Sequence, residues 1–429
     1  MPKKYVIDSS VFLFSPHALH AFDGENIIIP GCTMREIKQI AADGGESRRA
    51  AVAFGRELDS ILDSPGNTVE LENGGTLLFY MDEEKSIYQI AAEHNATIIT
   101  RDPLVRVTAR TRGIPAEAFH DESDSPIDLD YGGRVILYVS SEEIDTFSAE
   151  RKLILDPDRG YYAMDLDGKT KSSNYKLSPN EYVCMLAADD PLKSMLGRFD
   201  GNGIVPLIKA SNIYGVFPLN MGQRFALDAL LNPDIPMVIL RGPAGTAKTF
   251  LSLAAALEQT YVTHRYKRIL LTRPNIKMDS DIGYLKGDEM EKIMPVIRGM
   301  LDNIETLNEK SDLTAQALIE KGVIEPQAMA YMRGRSINSQ FIVADEMQNS
   351  TPTQSLSIIT RVGFESKIVL CGDTQQIDSP FMDERSNGLA FASARMKGSG
   401  LCAQVEFSDR ESTRSDLASD AILRMGRKA

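Results

Sequence analysis

Through roughly the first 125 residues, the chain alternates between short apolar runs and longer amphipathic stretches. Short apolar runs alternate with longer stretches in which apolar residues recur every three or four positions, the helical period. The pattern predicts strands at Tyr5–Asp8, Asn26–Pro30, Leu77–Tyr80 and Thr97–Thr100, and helices at Met34–Ala42, Arg48–Leu62, Glu84–His94 and Leu104–Arg112. Alternating strands and helices of this length predict an open parallel α/β sheet.

The pattern changes at residues 121–130, DESDSPIDLD, where five acids and a proline predict an exposed connector. Beyond it, the runs RVILYVSSEEIDTF, YYAMDL and NEYVCMLA predict short strands separated by turns. We expect a small β-rich module of about 80 residues here. Residues 196–201, LGRFDG, predict a turn between two strands. Arg198 and Phe199 in that turn are candidates for RNA contact, with packing inside a hairpin as the alternative.

Strands and helices alternate again from about residue 216. An apolar run at Met237–Leu240 leads into the sequence GPAGTAKT, Gly242–Thr249, and an alanine- and leucine-rich helical pattern follows. Further strands are predicted at Arg268–Thr272, Phe341–Ala344 and Lys367–Cys371, with a mostly helical region at Glu289–Met332. This region therefore also predicts a parallel α/β sheet.

The glycine-containing turn between the Met237–Leu240 strand and the helix has the pattern of a phosphate-binding loop, which places a triphosphate at a helix N-terminus. We expect Lys248 to reach the β- and γ-phosphates and Thr249 to complete the coordination of Mg²⁺. Ala247 stands where such loops have Gly, and its methyl group costs energy if the position needs a positive φ. A turn without a ligand is the alternative. The predicted nucleotide-binding residues of the loop are Gly242, Pro243, Ala244, Gly245, Thr246, Ala247, Lys248 and Thr249.

Two adjacent acids, Asp345 and Glu346, end the strand Phe341–Ala344. We expect Asp345 to hold Mg²⁺ through water and Glu346 to orient or deprotonate the attacking water. Gln376 follows the next strand and would sense whether the γ-phosphate is present. Gln223, upstream of the loop, would read the adenine edge and favour ATP, or it is a plain surface glutamine.

Arg410 and Arg414, near the end of the chain, are both candidates for an arginine finger. Such a finger would act within the chain or on the nucleotide of a neighbouring chain. An ordinary surface arginine is the alternative for each.

Four acids of the first region fall just beyond predicted strands or at the start of the helices that follow them: Asp8, Glu36, Glu84 and Asp102. In an open parallel sheet, functional residues gather at the carboxyl ends of the strands. Carboxylates that converge there repel each other unless cations lie between them. Mg²⁺ or Mn²⁺ bound by these oxygens would activate water for phosphodiester cleavage. For a single acid, helix capping is the alternative.

Composition narrows the choice of partners. The net charge of −13 argues against a broadly basic surface for nucleic acid and favours sites that gather divalent cations. The four cysteines are far apart and predict reduced thiols in a cytoplasmic protein. The first apolar run is broken by Asp8, which predicts a strand and not a signal peptide. No stretch approaches the roughly 18 apolar residues of a membrane span, so we expect no membrane partner.

About 120 residues at the start of the chain resemble a PIN domain, a metal-dependent ribonuclease fold. The resemblance rests on Asp8 in VIDSS, Glu36 in the following helix and Asp102 in the T-x-D pattern. The same frame places Glu84 where the family usually has Asp, with Asp82 as the competing choice. It implies that Asp8, Glu36, Glu84 and Asp102 bind Mg²⁺ or Mn²⁺ and cleave RNA.

Residues 216–429 resemble the PhoH-like ATPases, relatives of superfamily 1 RNA helicases. The matching segments are Gly242–Thr249, Thr272–Pro274, Asp281–Leu285, Tyr331–Arg335, Asp345–Asn349, Gly372–Asp378, Ser386–Leu389 and Arg414–Ser415. The resemblance implies coupling of ATP hydrolysis to RNA unwinding and cleavage in hexameric rings. It makes Arg414 the better candidate for a finger acting in trans. Arg333 and Arg335 would contact RNA in the pore of the ring.

The expected architecture has three parts: a PIN-like open parallel sheet at 1–125, an acidic linker with a β-rich module at 126–215, and a P-loop NTPase of superfamily 1 helicase type at 216–429. The leading hypothesis is an ATP-dependent RNA-processing enzyme in which an ATPase moves or unwinds RNA and the PIN carboxylates cleave it. The alternative, suggested by Glu84, is an ATP-gated RNA-binding protein with an inactive PIN domain. A third hypothesis, suggested by Ala247, is a nucleotide-responsive scaffold with weak turnover.

Overall fold

The computed structural model describes residues 2–22, 24–43, 48–62, 66–71, 74–119, 131–156, 159–165, 168, 170–172, 174–210, 212–274, 289–311, 313–332, 336–378, 382–413 and 417. The chain divides into two compact units, residues 1–126 and 127–429. The three-part division stays a prediction. Several predicted features lie outside the described residues: the connector 121–130 and the segments or residues Asp281–Leu285, Arg333, Arg335 and Arg414–Ser415.

The first unit is built on one six-stranded sheet. Its described strands are β1 (Lys4–Ile7), β2 (Asn26–Pro30), β3 (Thr68–Glu70), β4 (Thr76–Tyr80), β5 (Thr97–Thr100) and β6 (Ala116–Ala118). Its described helices are α1 (Ser9–Phe14), α2 (Gly31–Asp43), α3 (Arg48–Ile61), α4 (Ile87–His94) and α5 (Pro103–Thr111), with a 3₁₀ helix at Ala18–Ala21. The strand order is β3-β4-β2-β1-β5-β6, parallel except for β3, which confirms the predicted α/β fold.

Two predictions for this unit were wrong in detail. The helix predicted from Glu84 begins at Ile87, because Ser86 forms a capping box with Gln89. Glu84 therefore precedes the helix, in an exposed bend. The short strands β3 and β6 were not predicted, since three residues at a sheet edge give too little periodicity to recognise.

The second unit contains two sheets. The first is formed by β7 (Arg134–Val139), β8 (Ala163–Met164), β9 (Thr170–Ser172), β10 (Tyr182–Ala187), β11 (Ser194–Phe199) and β12 (Ile204–Pro206), with α6 (Ser141–Glu150) after β7. Its order is β12-β11-β10-β7-β8-β9, and only the β10–β7 pair is parallel. We call it the middle sheet.

The middle sheet corrects two sequence predictions. The segment SSEEIDTF is helix α6 and not strand, because Ser140 and Glu143 form a capping box and Ile144 and Phe147 bury one helical face. Residues 196–199 belong to β11 and not to a turn. The turn comes after them, where Asp200 accepts the N–H groups of the following residues. Gly197 was mistaken for a turn residue, but a Cβ there would lie 2.4 Å from Ile204 Cγ2.

The second sheet of this unit is parallel throughout, in the order β15-β14-β16-β17-β13-β18. Its strands are β13 (Met237–Arg241), β14 (Arg268–Thr272), β15 (Ile324–Pro326), β16 (Gln340–Ala344), β17 (Lys367–Gly372) and β18 (Cys402–Glu406). The helices are α7 (Met221–Leu231), α8 (Lys248–Leu257), α9 (Glu289–Leu307), α10 (Ala315–Glu320), α11 (Pro352–Ile359) and α12 (Gly388–Met396). A π-helical turn spans Glu258–Val262, and 3₁₀ helices span Met329–Met332, Met347–Asn349 and Asp409–Glu411.

Strand β13 is buried along its whole length, as expected for a central strand covered on both faces. The predicted helical region 289–332 also contains the edge strand β15, which the sequence pattern did not indicate. Its three residues include Pro326, which is tolerated at a sheet edge.

The middle sheet packs on the parallel sheet through buried polar contacts. Tyr182 donates its hydroxyl to Asp228 Oδ2 at 2.8 Å and stacks on Phe225 of α7. Arg198 lies with its Nε 3.4 Å from the same carboxylate and donates to Asn180 Oδ1 at 2.6 Å. Arg198 is therefore bound inside the unit, and Phe199 packs, partly buried, against the core of the middle sheet, as the hairpin-packing alternative predicts.

Lys367 is a fully buried lysine at the start of β17. Its Nζ donates to the carbonyl oxygens of Ala229 and Asn232, both at 2.8 Å, and so caps the C-terminus of α7. Burial lowers the pKa of Lys367 to about 7. The positive charge of Arg265 also lowers this pKa, whereas the negative charges of Asp228 and Asp234 oppose the shift.

This lysine predicts a pH-dependent contribution to stability. Between about pH 7 and pH 10 the unfolded chain binds a proton at Lys367 that the folded chain does not. The free energy of unfolding of the wild type, relative to Lys367→Met, should therefore rise with pH by up to about 1.4 kcal/mol per unit. Urea denaturation of both proteins at about pH 7.5 and pH 9.5 measures this slope. A difference that does not change with pH contradicts it.

Candidate nucleotide site and acidic edge

The loop between β13 and α8 has a backbone that admits little change. Gly242 has a φ of 135°, and a Cβ there would lie 2.6 Å from the carbonyl oxygen of Phe407. Gly245 has a φ of 82°. Thr246 is buried and donates its hydroxyl to the Pro243 oxygen at 2.9 Å. The loop therefore keeps one shape and leads directly into the N–H groups at the start of α8.

Lys248, the first residue of α8, turns its side chain back into this loop. Its ammonium donates to the carbonyl oxygens of Gly242 at 2.6 Å and Pro243 at 2.8 Å. Burial lowers the pKa of Lys248, although the acids at the neighbouring strand ends oppose the shift. A buried cation beside free helix N–H groups is suited to binding a polyphosphate.

Ala247 adopts the left-handed conformation, with φ 67° and ψ 20°. A residue with a Cβ pays roughly 1–2 kcal/mol in that region, which glycine avoids. The sequence analysis expected the Ala247 methyl group to cost energy if this position needs a positive φ, and the observed φ meets that condition.

The side chains of Thr249 and Asp345 contact each other at the carboxyl end of β16. The Thr249 hydroxyl donates to Asp345 Oδ1 at 2.8 Å. Burial and the adjacent Glu346 carboxylate raise the pKa of Asp345. Mg²⁺ that accompanies a nucleotide takes only one or two protein oxygens besides phosphates and water, so this pair of oxygen donors fits such an ion.

Glu346 follows with φ 53° and ψ 36°, a second strained non-glycine residue. Its carboxylate accepts a hydrogen bond from Gln348 Nε2, and Arg273 Nη2 lies 3.6 Å from it. The side chain is one-third exposed, so it combines a fixed orientation with access to water.

Gln348 joins the ends of β16 and β17. Its amide donates to the Gln376 carbonyl at 3.0 Å and accepts the Asp373 N–H at 3.1 Å. The side chain is fully buried. Sequence reasoning placed Gln348 in a motif but gave it no role, whereas the candidate Gln376 has an exposed side chain and contributes its backbone to this contact.

Gln223 is buried, which overturns the alternative of a plain surface glutamine. Its Oε1 accepts the Leu219 N–H at 2.8 Å. Its own N–H is donated to Asn220 Oδ1 at 2.9 Å, which caps α7. The side-chain amide is therefore held in one orientation.

Arg410 is exposed in the 3₁₀ helix after β18. Thr413 donates both its N–H, at 2.8 Å, and its hydroxyl, at 3.0 Å, to the carbonyl oxygen of Gly245. The residue before Arg414 thus contacts the phosphate loop of its own chain, a contact that no sequence pattern indicated.

The acids of the first unit lie at the carboxyl edge of its sheet. Asp8 follows β1 and accepts hydrogen bonds from Ser10 and from the Thr100 hydroxyl, the latter at 2.7 Å. The Asp102 N–H is donated to Thr100 Oγ1 at 3.0 Å. Asp102 also caps α5 by accepting the Leu104 N–H at 2.7 Å. Thr100 therefore links the two acids, and each is also a helix cap, whereas their role in binding a cation stays a prediction.

Glu36 and Glu84 differ in how they are held. The carboxylate of Glu36 accepts a hydrogen bond from the hydroxyl of Ser9, the residue after Asp8, at 2.6 Å. Glu84 is exposed, and its N–H is donated to Asp82 Oδ1 at 3.1 Å. Among the described residues, no three His, Cys, Asp or Glu side chains form a group that could hold a metal ion. The oxygen donors suit Mg²⁺ or Mn²⁺, but their arrangement is not that of a closed metal site, and the ligand set stays a prediction.

The fold and the strand-loop-helix site define a protein with a P-loop NTPase fold in its second unit and an α/β PIN-like domain in its first. Residues 215–425 match the family model described as PhoH-like protein, and residues 5–120 match that of the PIN domain. The chain belongs to the PhoH2 family, in which a PIN domain precedes a PhoH domain. Both resemblances drawn from the sequence are confirmed.

Three relatives illustrate the relationship. Protein PhoH2 of Bacillus subtilis (strain 168) is 32% identical over 457 residues, covering 98% of this chain and 100% of that protein. Protein PhoH2 of Mycolicibacterium smegmatis is 27% identical and covers 97% of this chain and 95% of its own. A PhoH-like protein of Bacillus subtilis is 37% identical and covers 47% of this chain and 61% of its own, so it matches only part of both.

Within the described part of the chain, no helix combines the length and apolar character needed to cross a membrane.

The strain at Ala247 predicts a contrast within the loop. Ala244 lies in the same loop but is not among the residues with positive φ. Gly at either position raises the entropy of the unfolded chain equally, by about 0.4–1 kcal/mol. Only Ala247→Gly also relieves a left-handed residue, so it should leave the protein roughly 1–2 kcal/mol more stable than Ala244→Gly does. Urea denaturation of the two variants measures the difference, and equal stabilities would show that Ala247 carries no strain.

Proposed function

We propose that this protein is an ATP-dependent RNA-processing enzyme. The PhoH domain hydrolyses ATP and uses it to move or unwind RNA, and the PIN domain cleaves RNA with Mg²⁺ or Mn²⁺. The observation that carries the proposal is the convergence of Lys248, the Thr249–Asp345 pair and Glu346 at one edge of the parallel sheet. Family membership supports both halves.

Each residue at this edge has a distinct part in the proposed hydrolysis. Lys248 binds the β- and γ-phosphates and offsets their charge. Thr249 and Asp345 would hold the Mg²⁺ ion that accompanies the nucleotide, and this ion would neutralise part of the phosphate charge. Glu346 orients the attacking water and accepts its proton, because Gln348 fixes one carboxylate oxygen while the group stays open to solvent.

Assembly belongs to the same proposal. The resemblance implies a hexamer in which Arg414 completes the site of a neighbouring subunit. The contact between Thr413 and Gly245 supports a different possibility, in which Arg414 acts in its own chain. RNA is the proposed partner in either case.

The proposed cleavage uses Asp8, Glu36, Glu84 and Asp102. Asp8 and Asp102 share Thr100 and lie at one sheet edge, which supports their joint action. The exposed position of Glu84 and the lack of a closed metal-ligand group among the described residues favour the second candidate. That candidate is an ATP-gated RNA-binding protein with an inactive PIN domain.

ATP hydrolysis is tested by two substitutions with different effects. Glu346→Gln should lower kcat by roughly 10²–10⁴ while ATP still binds, because only the proton acceptor is lost. Lys248→Ala should abolish ATP binding itself. Lys321→Ala, an exposed lysine after α10, serves as the control. Phosphate release and calorimetric titration with ATP separate the effects, and full activity of Lys248→Ala would rule out this site.

Cleavage is tested on structured and unstructured RNA with Mg²⁺ or Mn²⁺, with and without ATP. Asp8→Asn should abolish cleavage of both RNAs and leave ATP hydrolysis intact, since the two sites are chemically separate. Lys248→Ala should lose only the cleavage that requires unwinding. Glu70→Gln, an exposed acid on β3, is the control. If the wild type cleaves neither RNA at any metal or ATP concentration, the second candidate function replaces the first.

A further inference from the structure

A short segment after β18, Ser408–Thr413, touches three separate parts of the second unit. We call it the clamp segment. It contains the 3₁₀ helix Asp409–Glu411, and its contacts reach the middle sheet, the start of α7 and the phosphate loop. The first two contacts involve buried or half-buried groups, and the third consists of hydrogen bonds between the exposed residues Thr413 and Gly245.

The first contact is an ion pair between Arg134 and Glu411. Arg134 is the first residue of β7, and Nη1 donates to Glu411 Oε1 at 2.9 Å while Nη2 donates to Oε2. The side chains are only 2% and 11% exposed. A two-pronged pair of this kind fixes distance and orientation together, which a single contact does not.

The second contact is with the start of α7. Glu411 Oε1 also accepts the Gly222 N–H at 2.8 Å, and Asn220 Nδ2 donates to the Glu411 carbonyl at 3.2 Å. A Cβ at Gly222 would lie 2.6 Å from Glu411 Oε1, so the carboxylate packs against bare backbone. Gly222 is followed by Gln223, the candidate adenine-reading residue.

The third contact is with the phosphate loop. Thr413 donates its N–H and its hydroxyl to the Gly245 carbonyl. The segment that Arg134 holds through Glu411 thus ends, two residues later, on the loop that surrounds the Lys248 ammonium.

We propose that Arg134 is a positioning residue for the nucleotide site, which makes the middle sheet part of the nucleotide-binding apparatus. Arg134 acts through Glu411, which sets the start of α7 on one side and the Thr413 contact with Gly245 on the other. The inference rests on the proposed binding of ATP at this site. Because coupling between two sites is reciprocal, whatever binds the middle sheet and shifts β7 changes nucleotide affinity, and nucleotide changes its affinity in return.

The unit contains a matched control for this ion pair. Arg198 and Asp228 form a second buried contact between the middle sheet and α7. It reaches the middle of α7 and makes no contact with the clamp segment or the phosphate loop in the described structure. Loss of either pair should lower stability, since each leaves a buried charge poorly paired.

The test measures binding of a non-hydrolysable ATP analogue with Mg²⁺ to the full-length chain by calorimetry. Arg134→Lys keeps the charge but loses the two-pronged geometry, and should raise the Kd roughly five- to tenfold. Arg198→Lys should lower the melting temperature but leave the Kd within about twofold. In steady state, Arg134→Lys should raise the KM for ATP with little change in kcat, because no catalytic residue is removed.

Glu411→Gln is the second variant, since it keeps the shape of the buried group if Arg134→Lys does not fold. It should raise the Kd in the same direction. The proposal is overturned if both variants bind the analogue as the wild type does, or if Arg198→Lys weakens binding by the same factor. If the wild type itself binds no analogue, the proposed ATP site fails and this inference fails with it.

Discussion

The side chains of the candidate nucleotide site meet because parallel strands end at one edge of a sheet. Strand β13 delivers the loop that surrounds Lys248, the adjoining β17 delivers Asp373, and β16 delivers Asp345 and Glu346. Residues almost a hundred positions apart in the chain, such as Thr249 and Asp345, can thereby form a 2.8 Å hydrogen bond. The chemistry of the site therefore depends on the register of three buried strands, and the burial of those strands keeps the register fixed.

The same edge carries conformational strain. Ala247 and Glu346, which flank the proposed phosphate and magnesium positions, both have positive φ although neither is glycine. Such conformations persist only where the surrounding contacts determine them more strongly than local preference does. Here the contacts are the Lys248 bonds to the loop carbonyls on one side, and on the other the Gln348 bonds to Glu346 and to the segment after β17. A strained, well-held backbone of this kind is suited to presenting fixed groups to a charged ligand.

The sequence predicted the features that depend on local pattern and missed those that depend on distant contacts. The strands Asn26–Pro30, Thr97–Thr100 and Arg268–Thr272 were predicted at their observed bounds, because central parallel strands are continuous apolar runs. Helix α6 was not predicted, although Ser140 and Glu143 have the sequence pattern of a capping box, because the apolar run before them suggested that the strand continues. The pair Arg134–Glu411 joins residues 277 positions apart and leaves no periodic signal that a single sequence can reveal.

The middle sheet, which the sequence predicted as a small β-rich module, is joined to helix α7 and the clamp segment by buried polar groups. Tyr182, Arg198 and Arg134 all reach across to α7 or to the clamp segment. Buried ion pairs add little net stability, because desolvation offsets most of the attraction, but breaking one is costly. Their effect is to specify one relative placement of the two sheets. In the proposal that Arg134 positions the nucleotide site, this placement aligns the phosphate loop, helix α7 and the clamp segment, and a two-pronged ion pair fixes orientation as well as distance.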